Sequence, residues 1–190
     1  MPDAWAGVAA QRKTLMVWPE WPEPEPQTPA KKASTQRDEL RSAAAETLSL
    51  VIPLGDEGGV GLEGVRLRIV VWAYKALREV TATLEVEGGR SFVTIARLDG
   101  WPIDPHMNVM ARGRRSVKHV PMEVVGHHVH RFSDNAKLGL PAFAPDANLP
   151  IAVPIPNGLG SFRDFLRTLA VEFNIDGVDQ IQPPDWRVML

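Results

Sequence analysis

From Thr47 to Asp99 apolar residues recur at every second position, and that pattern narrows the folds open to the chain more than any other feature. "TLSLVIPL" alternates Leu48, Leu50 and Ile52, and "VRLRIVVWAY" sets Leu67, Ile69 and Val71 against Arg66 and Arg68. "VTATLEVE" and "SFVTIARL" follow with the same period. A period of two sends alternate side chains to opposite faces of a strand, whereas a helix would need a period near 3.6. The breaks between runs are glycine pairs: Gly58-Gly59, with Gly61 just beyond, and Gly88-Gly89 inside "EGGR". Alternating runs joined by Gly-Gly are hairpin signals. The expectation is a meander of about four antiparallel strands over residues 47–99, with one face buried.

The remainder divides around that meander. Ser161 is suited to cap a helix, with Asp164 three residues on. Phe162, Phe165, Leu166, Leu169, Ala170 and Phe173 then follow at helical spacing, and Asn174, Gly177 and Pro183-Pro184 end the element. Such a stripe packs on a core. A shorter helix is expected to open at Thr35 ("TQRDELRSAAAE"), with Asp38 in the capping position. Residues 1–34 differ in kind. "VWPEWPEPEPQTPAKKAS" is proline-rich and acidic, which favours an extended arm. Trp5, Trp18 and Trp21 are unusual in a linker, so they are expected to pack on the domain or on a partner. Residues 100–118 read as a loop carrying Arg112, Arg114, Arg115 and Lys118, residues 122–132 as a strand, and "LPIAVPIP" as an edge strand at best. The fold class is α+β: an antiparallel β-sheet meander with a C-terminal amphipathic helix on one face and an extended Pro-rich N-terminal arm. A single domain spans 35–190 and the arm spans 1–34.

Composition removes several functions. The chain has no cysteine, which excludes disulfides, thiolate metal sites and a thiol nucleophile and fits a cytoplasmic setting. No stretch reaches the ~20 apolar residues of a membrane span, and no secretory leader is recognisable. A net charge of −2 leaves the question of nucleic acid to local charge.

Local charge points to "GHHVHRF", residues 126–132. On a strand, His128 and His130 share a face and lie roughly 7 Å apart, while His127, Val129 and Arg131 take the other. Imidazole titrates near neutrality, so one neutral and one protonated ring can act as base and acid. His106 and Asn108 form a second motif upstream. Three readings of these residues stand. One is metal-independent cleavage of an RNA phosphodiester. His128 and His130 serve as base and acid, Arg131 or Arg97 as phosphate clamp, His106 and Asn108 as the orienting shell, and the basic loop 112–118 as a backbone-binding patch. Another is a metal site of His106, His128 and His130 with Asp99 or Asp104. In the last, the histidines bond backbone carbonyls inside the fold, the four loop cations form a solvated surface, and Arg97 with Asp99 is a buried ion pair or cross-strand contact.

The order of these pieces resembles an uncharacterised bacterial family. Its pattern is strands ending in "RLD" (here "RLDG", 97–100), His-x-Asn ("HMN", 106–108) and His-x-His-Arg-aromatic ("HVHRF", 128–132). A short apolar run ("IAVPI", 151–155), a Phe-rich helix ("SFRDFLRTLAVEFNI", 161–175) and "PP" at 183–184 follow. The likeness covers roughly residues 66–184. More distantly, the pattern is similar to TumE-like toxins of toxin–antitoxin pairs, which join an antiparallel sheet to a His-x-His strand and a final helix. Members of such families tend to sit among mobile-element and phage-conflict genes. TumE-like proteins place an acidic residue just before the first histidine of that motif, where His127 stands here.

The resemblance implies a nucleic-acid-directed toxin or an interaction protein of phage–host conflict. The first expectation is therefore a ribonuclease-like toxin that acts on RNA without metal or cofactor. The alternatives are a non-catalytic binding or inhibitor protein and a metal-dependent hydrolase. The binding protein would engage an antitoxin or a phage or host factor through residues 1–34 and the Arg-rich loop. No membrane association is expected, and exposed sheet edges permit a dimer.

Overall fold

The computed structural model describes residues 2–22, 47–73 and 75–186. The helix expected at Thr35 and the proline-rich stretch 23–34 lie outside the described residues. In chain order the strands are β1 (Lys13–Leu15), β2 (Thr47–Asp56), β3 (Gly61–Trp72), β4 (Val80–Glu87), β5 (Phe92–Gly100), β6 (His106–Met107), β7 (Glu123–Val124), β8 (His128–His130), β9 (Val153–Pro154) and β10 (Ile175–Asp176). The helices are α1 (Pro2–Ala10), α2 (Phe132–Asn135) and α3 (Phe162–Phe173). Eight strands form one sheet in the order β10-β1-β2-β3-β4-β5-β8-β9, while β6 and β7 form a separate ribbon. All neighbours in the large sheet are antiparallel except β1 and β10.

The meander follows the alternation. Leu48, Leu50, Ile52 and Leu54 of β2, Leu67, Ile69 and Val71 of β3, Ala82 and Leu84 of β4, and Ala96 and Leu98 of β5 line one buried face. The intervening residues make the other face polar, with Arg66 paired to Glu85 and Thr81 bonded to Asp99. α3 covers the apolar side. Its Ser161 hydroxyl accepts the Asp164 N–H at 3.2 Å and donates to the Asp164 carboxylate at 2.8 Å. Asn174, at φ 53°, closes the other end in the left-handed region. Phe162, Phe165, Leu166, Leu169 and Phe173 are buried beneath it. Gly100 lets the helix approach β5, because a Cβ there would lie 2.8 Å from the Phe165 ring.

Two segments differ from the sequence expectation. Residues 2–15 are part of the folded domain, not of an extended arm. The alanine-rich start forms α1 with Pro2 in its first turn, and β1 is inserted between β10 and β2. A three-residue strand carries no periodic signal, which is why the alternation did not reveal it. Trp5 packs edge-on against Phe143 (5.6 Å between centroids) and Trp21 tilts onto Phe162 (6.2 Å), while Trp18 is exposed. The single strand expected over 122–132 is divided at Gly126, whose φ of 77° turns the chain. β7 joins the ribbon before that turn and β8 joins the sheet after it. β9 is an edge strand, as Pro154 requires. No helix among the described residues is long and apolar enough to cross a membrane.

Replacing Phe165 by alanine removes a fully buried ring at the helix–sheet contact. The expected cost is about 3–5 kcal/mol in denaturant unfolding. Lys13 yields a pH prediction. Its ammonium is buried and donates to the Val8 and Gln11 carbonyls at 2.8 and 2.6 Å, closing the end of α1. Burial pushes it down to about 8 from 10.5. The folded state therefore binds fewer protons than the unfolded chain between these values, and this group's contribution makes stability rise with pH across that window. Unfolding measured at pH 8 and pH 10 should show the rise, and Lys13→Met should flatten it.

Candidate functional site

The antiparallel register of β5 and β8 sets Arg97 opposite His130, Leu98 opposite Val129 and Asp99 opposite His128. Leu98 and Val129 point into the core, so the other two pairs share the polar face. Asp99 is the hub. Its Oδ2 lies 3.2 Å from Nε2 of both His128 and His130 and accepts the Arg97 Nε–H at 2.8 Å. Its Oδ1 accepts the Thr81 hydroxyl at 2.9 Å. A carboxylate from the neighbouring strand thus meets both β8 histidines.

Backbone carbonyls fix the ring tautomers. A carbonyl only accepts, so His128 Nδ1–H donates to Gly126 O (2.7 Å) and His130 Nδ1–H to Leu149 O (2.5 Å). His106 Nε2–H donates to Pro150 O at 3.1 Å, leaving its Nδ1 as the free lone pair. The second nitrogen of His130 accepts from Arg97 NH2 at 2.7 Å. Burial pushes His130 down to about 4, so this ring is neutral at pH 7. Burial also lowers His106, and the charges of His128 and Arg97 add to that effect. For Asp99, burial alone would raise the carboxyl, but the bond from His128 and the Arg97 charge outweigh burial and hold it well below the usual range.

His106, His128, Asp99, Arg97 and Thr81 line an open cleft of roughly 300 Å³. His106 is half-buried there, whereas His130 is fully buried behind Arg97. The three imidazoles lie 4.7–5.5 Å apart by ring centroid. Among the described residues they are the group whose ring nitrogens, one from each, lie within 4.8 Å of one another.

Several expected roles need correction. Arg131 does not reach the site. It lies one residue past His130 and so faces the other side, where Nε and NH2 grip the Glu172 carboxylate of α3 at 2.7 and 2.6 Å. His130 has no exposure and cannot touch a substrate; it positions Arg97. Asn108 orients backbone instead of an imidazole. It is buried, donates to Pro121 O and Ala152 O, and accepts the Ala152 N–H. Arg97 and Asp99 do form the ion pair, and it is the centre of the site. Arg112, Arg114, Arg115 and Lys118 are exposed on the excursion between β6 and β7. They line a second cleft of roughly 340 Å³ whose walls include Val117, Val120 and Met122.

Two features carried little signal in the sequence. Asn135 mirrors Asn108, donating to Ile151 O and accepting the Ile151 N–H. The backbone of residues 148–152 is a strap held residue by residue. Arg97 takes Asn148 O, His130 takes Leu149 O, His106 takes Pro150 O, and the two asparagines take Ile151 and Ala152. An asparagine bonding to a distant backbone has no local pattern, and only its burial reveals the role.

No protein-family model matches the chain, and no curated protein or solved structure matches it either.

Asn108→Ala strands the Ala152 amide and carbonyl in the interior. The expected loss is about 1–3 kcal/mol per orphaned group, read by denaturant unfolding. Because the same strap carries the acceptors for His106 and His130, the imidazole proton resonances of both rings should shift in the variant's NMR spectrum.

Proposed function

We propose that this protein is a ribonuclease-like toxin that cleaves RNA by metal-independent imidazole chemistry, with His106 as base and His128 as acid. One observation carries the reading: the two imidazoles that line the cleft have different partners beside a guanidinium, His106 a backbone carbonyl and His128 the Asp99 carboxylate. Burial and nearby positive charge keep His106 deprotonated, with Nδ1 as its open nitrogen. His128 gives its Nδ1 proton to Gly126 O, so it bonds Asp99 through Nε2 only when that nitrogen is protonated too. Inequivalent surroundings of this kind assign base and acid.

The steps balance within the RNA. His106 Nδ1 takes the proton of a 2′-hydroxyl, and the 2′-oxygen attacks the adjacent phosphorus. Arg97 offers its N–H groups to the phosphorane oxygens. The bond to the 5′-oxygen breaks as His128 Nε2 delivers its proton, leaving a 2′,3′-cyclic phosphate and a 5′-hydroxyl. Arg112, Arg114, Arg115 and Lys118 hold the polymer away from the reaction; among the described residues none of them makes a salt bridge.

The rival is a non-catalytic binding protein. It draws on exposed Trp18 and on the same basic cleft, and it has lost Trp5 and Trp21 to packing within the domain. We likewise propose a partner contact through residues 1–34, a toxin–antitoxin setting, a dimer and a cytoplasmic location.

End-labelled RNA separates the two. His106→Ala and His128→Ala should each lower the cleavage rate by about 10²–10⁴ in proteins that still unfold cooperatively, although loss of the buried His128 ring also costs about 1–3 kcal/mol per group left unpaired. RNA with a deoxyribose at the scissile position should be inert. Neutralising one loop arginine should weaken binding and flatten its salt slope by about 0.7 per lost phosphate contact. Wild-type rates in both histidine variants, or a product without the cyclic phosphate, would leave only the binding protein.

A further inference from the structure

We infer that His106, His128 and His130, with Asp99, also form a binding site for one divalent transition-metal ion of the zinc class, and that its occupancy blocks the acid–base centre. The binding claim stands on geometry alone. Only its effect on cleavage rests on the ribonuclease reading above.

Three features support the site. One nitrogen from each ring lies within 4.8 Å of the other two. A tetrahedral ion with ~2.1 Å bonds sets its ligands ~3.4 Å apart, so a movement of about an ångström shared by three rings closes the set. Each ring also hands one N–H to a backbone carbonyl: His128 to Gly126, His130 to Leu149 and His106 to Pro150. This is the outer-shell arrangement that orients a ligating imidazole and leaves its other nitrogen for the ion, which at His128 displaces the Nε2 proton. Finally, a carboxylate oxygen is already in place as fourth ligand, because Asp99 Oδ2 lies 3.2 Å from Nε2 of both β8 histidines.

Arg97 opposes the ion, and this opposition makes the site regulatory. Its NH2 occupies the His130 lone pair at 2.7 Å, and its Nε holds Asp99 at 2.8 Å. A cation that takes the lone pair repels the guanidinium. The cleft offers Arg97 a second place, since Glu79 and Asp104 line it too. With the ion bound, His106 and His128 have no nitrogen left for proton transfer, and the phosphate clamp has moved. Metal and phosphodiester therefore exclude one another.

The test is a titration of chelator-stripped full-length protein with Co²⁺. The expected result is a 1:1 complex with the visible d–d absorption of tetrahedral cobalt, displaced by Zn²⁺. His130→Gln should weaken binding at least tenfold. His106→Gln, whose parent ring is half-buried, should do the same and covers the case in which the first variant fails to fold. RNA cleavage should fall in proportion to occupancy and return with chelator. Absent tetrahedral absorption overturns the site, as does wild-type affinity in a folded His106→Gln protein. Cleavage that rises with occupancy overturns both the blocking role and the metal-independent mechanism. Tight tetrahedral binding by a protein that never cleaves RNA keeps the site and removes the ribonuclease reading alone.

Discussion

The pairing of β5 with β8 is the constraint on which the site depends. Leu98 and Val129 face each other within the core, and both are almost completely buried. A slip of β8 by one residue against β5, which β4 holds in place, would turn Val129 toward the polar side and drive His128 and His130 into the apolar layer under α3. Burying those imidazoles away from their hydrogen-bond partners costs about 1–3 kcal/mol per unpaired group. The hydrophobic core therefore selects the register, and the register assembles the polar quartet on the opposite face. Packing and chemistry come from one geometric fact, the alternation of side chains along two short strands.

The strap at residues 148–152 completes what the sheet begins. Asn148 and Leu149 adopt φ of 47° and 55°, left-handed conformations that cost about 1–3 kcal/mol each for residues other than glycine. The strained backbone aims successive carbonyls at Arg97, His130 and His106. Asn108 and Asn135 offset the strain by pairing with both polar groups of Ala152 and of Ile151. The consequence is chemical. Carbonyl acceptors decide which nitrogen of His106 and His130 carries the proton, and so which nitrogen faces the cleft or Arg97.

Charge is distributed between the two sides of the sheet. Arg97 serves the polar face, where it meets Asp99, whereas Arg131 crosses to α3 and is neutralised by Glu172. The four cations of the β6–β7 excursion belong to neither face. They surround a partly apolar recess, so an anionic chain bound there would meet positive charge at its edge and methyl and thioether groups at its base. At the far end of the sheet β1 lies one strand in from the β10 edge, with buried Lys13 joining α1 to β1 and the Lys13 N–H bonded to Asn174 O.

The sequence by itself determined the meander, its glycine turns and α3, because periods of two and of 3.6 are local consequences of backbone geometry and need no knowledge of distant residues. It also placed His128 and His130 on one face and Arg131 on the other. That parity alone told against Arg131 as a clamp for a centre on the His128 face. Tertiary structure decided what parity cannot reach: that Asp99 stands opposite His128, that His130 is sealed while His106 stays open, and that Asn108 and Asn135 hold a strap. Each of these joins residues 16 to 44 positions apart or depends on burial, and no local spacing encodes such a contact. The short N-terminal helix and strand remained hidden for the related reason that elements of nine and three residues are stabilised by what they pack against, not by a pattern of their own.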